Sequence, residues 1–254
     1  MTDQLDHSPI ISEVFGDATG KMELFHKKLE DEGLIRGLIG PRDGDIIWER
    51  HILNSAALVP FIKEMLPDPE TDRPVTIGDV GTGGGFPGIV LAACLPAVSF
   101  DLIEPMERRC EWLVEMVDML QLTNATVVRA RTEELISEKK EFSRTSRRHV
   151  DSSRANAGRR GQKPGARQAQ PEHFNGYDII TCRAVAPMTK LAGMTLPLLK
   201  KSGRLIALKG KSAAAELEKA RKELKKNGAV STRVCQAPVA PQLEPTHVVI
   251  VQVR

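Results

Sequence analysis

The sequence predicts an α/β protein whose sheet is mostly parallel, seven-stranded and finished by an antiparallel C-terminal strand pair, with a helical cap at the N-terminus. Three observations predict it. Val75 to Gly88 reads VTIGDVGTGGGFPG, a short apolar run that breaks into a glycine-rich turn and then into the helical pattern of Ile89 to Leu95. From Val98 to Asn227 apolar runs alternate with amphipathic segments, the order that parallel strands with crossover helices require. The last two runs, Val230 to Gln236 and His247 to Val253, have no helix between them, so the sheet ends in an antiparallel, hairpin-like pair. Three parts follow: a cap over 1–66, a sheet domain over 75–254, and an insert over 139–170 within it.

In chain order, Ile10 to Leu66 is helical in pattern. Gly20 to Glu32 places Met22, Phe25 and Leu29 on one face with charges opposite, and Gly33, Gly37, Gly40 and Pro41 end that helix. Asp45 to Phe61 reads as one longer helix with Ile46, Ile47, Ile52, Leu53, Ala56 and Ala57 on its apolar side. His51 and Ser55 stand one turn apart on it, but without a G-x-S-x-G elbow they make a poor hydrolase. Pro67 to Pro74 is a polar, proline-rich linker. The strands are Val75 to Val80, Val98 to Ile103, Ala125 to Arg129, Tyr177 to Cys182 and Arg204 to Lys209, followed by the C-terminal pair. Glu107 to Leu120, Leu191 to Leu199 and Ser212 to Asn227 are the helices between them, the last closed by Gly228.

With 254 residues and a hydrophobic content of 41%, the chain can bury a full core without staples. No apolar run reaches membrane-spanning length and the N-terminus is acidic and polar, so a cytoplasmic protein off the membrane is expected. Cys94, Cys110, Cys182 and Cys235 are scattered, with no C-x-x-C pair and no grouping with the six histidines; they read as buried thiols, and no metal site is expected. The net charge of +3 is uneven. Lys139 to Gln170 holds ten cations against two acids, a net +8 that leaves −5 on the remainder. Phe142 and Val150 are its only bulky apolar residues, so it is expected to be a disordered basic loop, an electrostatic attractor for phosphate backbones or simply a solvated linker.

Glycines at 81, 83, 84, 85 and 88 let a backbone take positive φ and let a ligand approach amides without meeting a Cβ. Gly83, Gly85 and Gly88 fit the G-x-G-x-x-G spacing of a dinucleotide site, and Glu104 stands at the offset of a ribose-binding acid. The acid inside the turn, Asp79, favours another cofactor: a carboxylate there repels pyrophosphate but suits a ligand with sulfonium and ammonium groups. S-adenosylmethionine (SAM) is therefore preferred to NAD, and the parallel sheet with an antiparallel finish points the same way, to a Rossmann-like SAM-dependent methyltransferase fold rather than a dehydrogenase. Glu104 ends the second strand, where it can accept two ribose hydroxyl bonds. Thr132 and Glu133 lie in the loop after the third strand, where adenine would rest, or simply open a helix. Arg183 stands at the crevice end of the fourth strand and either pairs with an acid or faces ligand.

DVGTGGGFPG at Asp79 to Gly88, RHILNS at Arg50 to Ser55, LIEPMERRCEWL at Leu102 to Leu113, RAVA at Arg183 to Ala186 and LKG at Leu208 to Gly210 together resemble the small-subunit ribosomal RNA methyltransferase G family, also called glucose-inhibited division protein B. The resemblance runs from about Asp45 to the C-terminus. It implies methyl transfer from SAM to N7 of one guanine in 16S ribosomal RNA, and SAM contacts at Gly81, Phe86, Thr132, Glu133 and Arg183. Asn54 stands where the family usually shows Asp, Arg108-Arg109 where a lysine pair or Lys-Arg is common, and the 139–170 insert lies outside the pattern.

Guanine N7 carries its own lone pair, so attack on a sulfonium methyl requires alignment and charge management but no general base. Asp79 is expected to favour the sulfonium, Arg183 and Lys209 to hold RNA phosphate or guanine O6, and Arg50 and His51 to line the base's entrance. The partner is then small-subunit ribosomal RNA or the small ribosomal subunit, met by a monomer. Two rivals are an NAD-dependent oxidoreductase and a non-catalytic RNA-binding module that uses the basic tract.

Overall fold

A computed structural model describes residues 3–67, 74–149, 167–168 and 174–254. Its strands are β1 (Thr76–Val80), β2 (Ser99–Ile103), β3 (Ala125–Arg129), β4 (Arg167–Gln168), β5 (Tyr177–Arg183), β6 (Leu199–Lys209), β7 (Ala229–Ala237) and β8 (Thr246–Val253). They form one sheet in the order β4-β3-β2-β1-β5-β6-β8-β7. β4 to β6 run parallel, and β8 pairs antiparallel with both β6 and β7, as the helix-free C-terminal runs predict. Strand order reverses between β1 and β5, and the crevice beyond their carboxyl ends is where an open α/β sheet receives its ligand.

The helices are α1 (Pro9–Phe15), α2 (Thr19–Glu32), a π-helical turn (Trp48–Leu53), α3 (Asn54–Ala56), α4 (Val59–Lys63), α5 (Gly88–Cys94), α6 (Glu107–Met119), α7 (Thr132–His149), α8 (Met188–Thr195) and α9 (Ala213–Lys226). α2 buries Met22, Phe25 and Leu29 and keeps Lys27 paired with Asp31 on its outer side, the amphipathic pattern of the sequence. These cap helices join α5 and α6 over one face of the sheet: Phe25, Trp48 and Leu58 share a core with Ile77, Phe100 and Trp112. α7, α8 and α9 cover the other face through Leu135, Leu191 and Leu224 against Ile180 and Leu205.

Two expectations need correction. The single helix over Asp45 to Phe61 is broken into a π-turn and two short helices. Pro60 can donate no bond to the Ala56 carbonyl, and the chain turns at Ala57 and Leu58 before α4 begins. The seven expected strands are all present, and Arg167 and Gln168 add a two-residue eighth at the edge, beside Val128 and Arg129. Both β4 and much of α7 fall inside the tract expected to be a disordered loop. Averaged composition hid the helical period there: α7 begins before the tract with buried Leu135, and within the tract the Lys139 ammonium donates to the carbonyls of Pro197 and Leu199. The rest of that tract, 150–166 and 169–170, and positions 68–73 of the proline-rich linker lie outside the described residues. Among the described residues no helix is long and apolar enough to cross a membrane.

Candidate active site

The glycine loop is braced from beneath by Asp79, the last residue but one of β1. Its carboxylate is fully buried. Oδ2 accepts from the Thr82 hydroxyl at 2.8 Å and from the Gly88 amide at 2.9 Å, and Oδ1 accepts from the Thr181 hydroxyl at 2.8 Å. Burial pushes its pKa up to about 6, against the pull of those three donors and of the Arg183 cation. One expectation changes: Asp79 faces the protein rather than a sulfonium. The first amides of α5 turn inward too, since Gly88 donates to Asp79 and Ile89 to the Gly85 carbonyl. With a buried carboxylate where pyrophosphate would seat on a helix N-terminus, the loop is a poor dinucleotide site.

Two glycines need their freedom. Gly81 has φ +69, and a Cβ there would meet Val185 Cγ2 at 2.8 Å; Gly83 has φ +58 and a Cβ there would meet nothing nearer than 3.7 Å. Gly81 thus lets the β5–α8 loop lie on the glycine loop, while Gly83 lies at an open tip. Glu104, one residue past β2, is 2% exposed. It accepts the Gly83 amide on Oε2 and the Met106 amide on Oε1, each at 3.0 Å. Each oxygen keeps a second lone pair, the requirement for a ribose diol. Beside it, Arg109 Nη1 lies 3.8 Å from Glu104 Oε2, and Arg109 Nε is buried without a hydrogen-bond partner. Only one other buried side-chain atom among the described residues is orphaned, Asn54 Oδ1. An open glycine tip, a diol-ready carboxylate and an orphaned guanidinium nitrogen fit the ribose end of SAM.

Arg183 ends β5 on the other side of the crevice. Its guanidinium carbon sits 4.6 Å from the centre of the Phe86 ring; Nη1 donates to the Arg50 carbonyl at 2.9 Å and Nη2 to His51 Nδ1 at 2.9 Å. Burial lowers its pKa to about 10, with Asp79 and Asp43 opposing that shift, and it stays a cation at neutral pH. Phe86 is buried between Phe25 at 5.4 Å, His51 at 5.0 Å and Arg183, so its ring seats the guanidinium rather than facing open space. His51 is buried as well, and its Nε2 reaches Asp43 Oδ2 at 2.9 Å. It lines no entrance, whereas exposed Arg50, 3.3 Å from Asp43 Oδ1, does present a cation to the outside. Asp43 is the site residue that sequence reasoning missed: its side-chain partners at the site, Arg50 and His51, stand seven and eight residues away, beyond any local spacing rule.

Lys209 departs from expectation. Its ammonium points inward, to the Ala186 carbonyl at 2.7 Å and Glu216 Oε2 at 2.9 Å, with its side chain 10% exposed, so it steadies the Arg183 loop instead of meeting phosphate. Ala184 in that loop has φ +53, a left-handed conformation an alanine holds only under constraint. Thr132 is buried and Glu133 exposed at the start of α7, 3.3 Å apart through Oγ1 and Oε2. Of the four thiols, Cys110 and Cys182 are buried and raised in pKa to about 11 and about 12 by burial, while Cys94 and Cys235 are only half-buried.

The family model described as rRNA small subunit methyltransferase G matches residues 18–157 and 165–243. A protein named Ribosomal RNA small subunit methyltransferase G from Bifidobacterium longum is 52% identical over 254 residues, covering 100% of both chains. One of the same name from Corynebacterium glutamicum is 34% identical, covering 96% of this chain and 91% of its own. Among solved structures, a SAM dependent methyltransferase from Aquifex aeolicus superposes with a TM-score of 0.50 at 16% identity, covering 87% of this chain and 98% of its own, a likeness of fold.

Proposed function

The chain belongs to the rRNA small subunit methyltransferase G family and is a SAM-dependent methyltransferase of small-subunit ribosomal RNA; we propose that its acceptor is N7 of one guanine in that RNA. The observation that carries the cofactor half is Glu104, a buried carboxylate that holds the open tip of the glycine loop while keeping lone pairs for a diol. When bound, SAM supplies an electrophilic methyl on a sulfonium.

The chain's own residues supply position and charge. Glu104 takes the ribose, Gly81 and Gly83 let the ligand approach the backbone, and Phe86 acts by seating Arg183. Thr132 and Glu133 take the adenine side. Arg183, held through Nη1 and Nη2 by the Arg50 carbonyl and His51, offers its remaining N–H donors to the ligand, and exposed Arg50 meets the RNA backbone. Lys209 contributes by holding the Ala186 carbonyl. No residue is asked to remove a proton, because N7 attacks through its own lone pair; buried His51, both of whose ring nitrogens are engaged, agrees with a site built for alignment. The segment 1–66 caps the sheet domain 75–254 beside the crevice. The enzyme acts as a monomer, in the cytoplasm with its substrate.

The deciding experiment incubates the protein with methyl-labelled SAM and small ribosomal subunits from cells lacking this enzyme, then identifies the labelled nucleoside after digestion. Label in N7-methylguanosine is expected. Label in another nucleoside discards the acceptor assignment, and a protein stabilised on heating by NADH but not by SAM discards the cofactor.

A further inference from the structure

We propose that Asp43 and His51 are positioning residues for Arg183, and that the π-turn over Trp48–Leu53 serves to free the Arg50 carbonyl for the same guanidinium. The inference rests on reading Arg183 as a ligand contact.

The hydrogen-bond chemistry admits one arrangement. A guanidinium only donates, so His51 Nδ1, 2.9 Å from Arg183 Nη2, must accept. The proton of a neutral imidazole then lies on Nε2 and is donated to Asp43 Oδ2 at 2.9 Å. Asp43 is itself fixed by the Gly40 amide at 3.0 Å, so the imidazole is held from behind by a carboxylate that cannot turn away. The ring stacks on Phe86 at 25°, beside the cation that Phe86 also carries. Burial and the neighbouring Arg183 cation keep His51 neutral, lowering its pKa to about 4. The charged groups around the pair are Asp43 from the loop before the π-turn, Arg50 on the turn, Arg183 from β5 and, through Arg183, Asp79 from β1.

The backbone completes the cradle. In an α-helix the Arg50 carbonyl would accept from the Asn54 amide. Here that amide turns to the carbonyls of Glu49 and His51 instead, and the Arg50 carbonyl accepts from Arg183 Nη1 at 2.9 Å. A helical register shift and a histidine tautomer thus aim one guanidinium, whose remaining donors have no hydrogen-bond partner among the described residues.

A double-mutant cycle tests this with His51→Phe, His51→Asn, Arg183→Met and the His51→Phe/Arg183→Met pair. Phenylalanine keeps the stacking and removes the acceptor; asparagine can place Oδ1 where Nδ1 stood. SAM affinity by calorimetry and methyl transfer to small subunits are measured for each, with thermal unfolding as the check on folding. His51→Phe is expected to weaken SAM binding or turnover by roughly tenfold, His51→Asn to recover most of it, and His51→Phe to add nothing once Arg183 is methionine. Penalties that multiply in the double variant overturn the proposal, as does an asparagine variant no better than phenylalanine. Nitrogen-15 spectra of labelled histidine separate the two layers of the claim. Nδ1 bare and Nε2 protonated between about pH 5 and 8 is expected, and a His51 that titrates in that range overturns the relay whatever the activity. A normal His51 spectrum with an Arg183→Met variant that binds SAM and methylates like the parent overturns the ligand-facing role of Arg183 instead.

Discussion

Asp79 and Glu104 are both buried carboxylates at strand ends, yet they face opposite ways, and the difference decides how each responds to substitution. Asp79 looks into the protein. Its pKa is raised from 3.8 to about 6 by burial. Between those values the native state holds a proton that the unfolded chain has released, so this group's contribution to stability is full below about pH 4 and is lost as pH rises through about 6, on the order of 3 kcal/mol. Asp79→Asn can keep all three contacts, its amide donating to the Thr181 hydroxyl, and does not titrate. The urea midpoint of the variant relative to the parent should therefore climb from pH 4 to pH 7. A constant difference would mean that Asp79 does not titrate in that window. Glu104 looks into the crevice, and in Glu104→Gln an amide must oppose either the Gly83 or the Met106 N–H. SAM affinity by calorimetry should fall at least about tenfold, the loss expected for a charge-assisted acceptor, and an unchanged affinity would refute the ribose placement. The place of Glu104 beside the glycine loop was legible because a strand-end acid after a glycine turn has a fixed offset. Asp43 was not, since only folding brings it to His51, and nothing in DVGTGG said that Asp79 would turn inward.

The glycine loop, the β5–α8 loop and the π-turn work as one assembly, each pressed on the next. Gly81 is where two of them touch: alanine there would meet Val185 Cγ2 at 2.8 Å while held at φ +69. The backbone conformation alone costs about 1–2 kcal/mol, with the clash added to it. Gly81→Ala should lower both the unfolding temperature and SAM affinity, and Val185→Ala in the same chain should relieve the clash while leaving the backbone cost. Full rescue would show that φ at Gly81 is unimportant; no rescue would show that Val185 is not the obstacle. The run FPG and the run RAVA were readable separately as loops at strand ends. Their mutual packing was not, because the positive φ of Ala184 and the inward turn of Lys209 follow from tertiary structure rather than local preference. The helix over Asp45 to Phe61 failed for a related reason: the apolar period persists through a π-turn, so periodicity could not report the shifted hydrogen bonds of Asn54.

At the scale of the whole chain, the parallel strands and their antiparallel finish followed from sequence, because apolar runs alternating with helical patterns leave few connections open; the order of strands across the sheet came only with the structure. Charge is less evenly shared than the fold: 139–170 carries +8 and the remainder −5. The structure divides that tract. Lys139 ties α7 to the carbonyls of Pro197 and Leu199, and Arg167–Gln168 pair with β3, so removing all of 139–170 would damage the sheet domain as well as its charge. Removing 150–166 takes out Arg154, Arg159, Arg160 and Lys163 against Asp151 alone and spares both attachments. If these cations meet RNA phosphates, the shortened protein should associate with small subunits more slowly at low salt. Its plot of log affinity against log salt should flatten by roughly 0.7 to 0.9 for each phosphate that the segment neutralises in the full-length protein. Turnover at saturating subunits should be unchanged, because neither Glu104 nor Arg183 depends on those residues. An unchanged slope would leave 150–166 as a solvated linker. A lower turnover with an unchanged slope would place that segment at the reacting base, where electrostatic steering alone has no reason to put it.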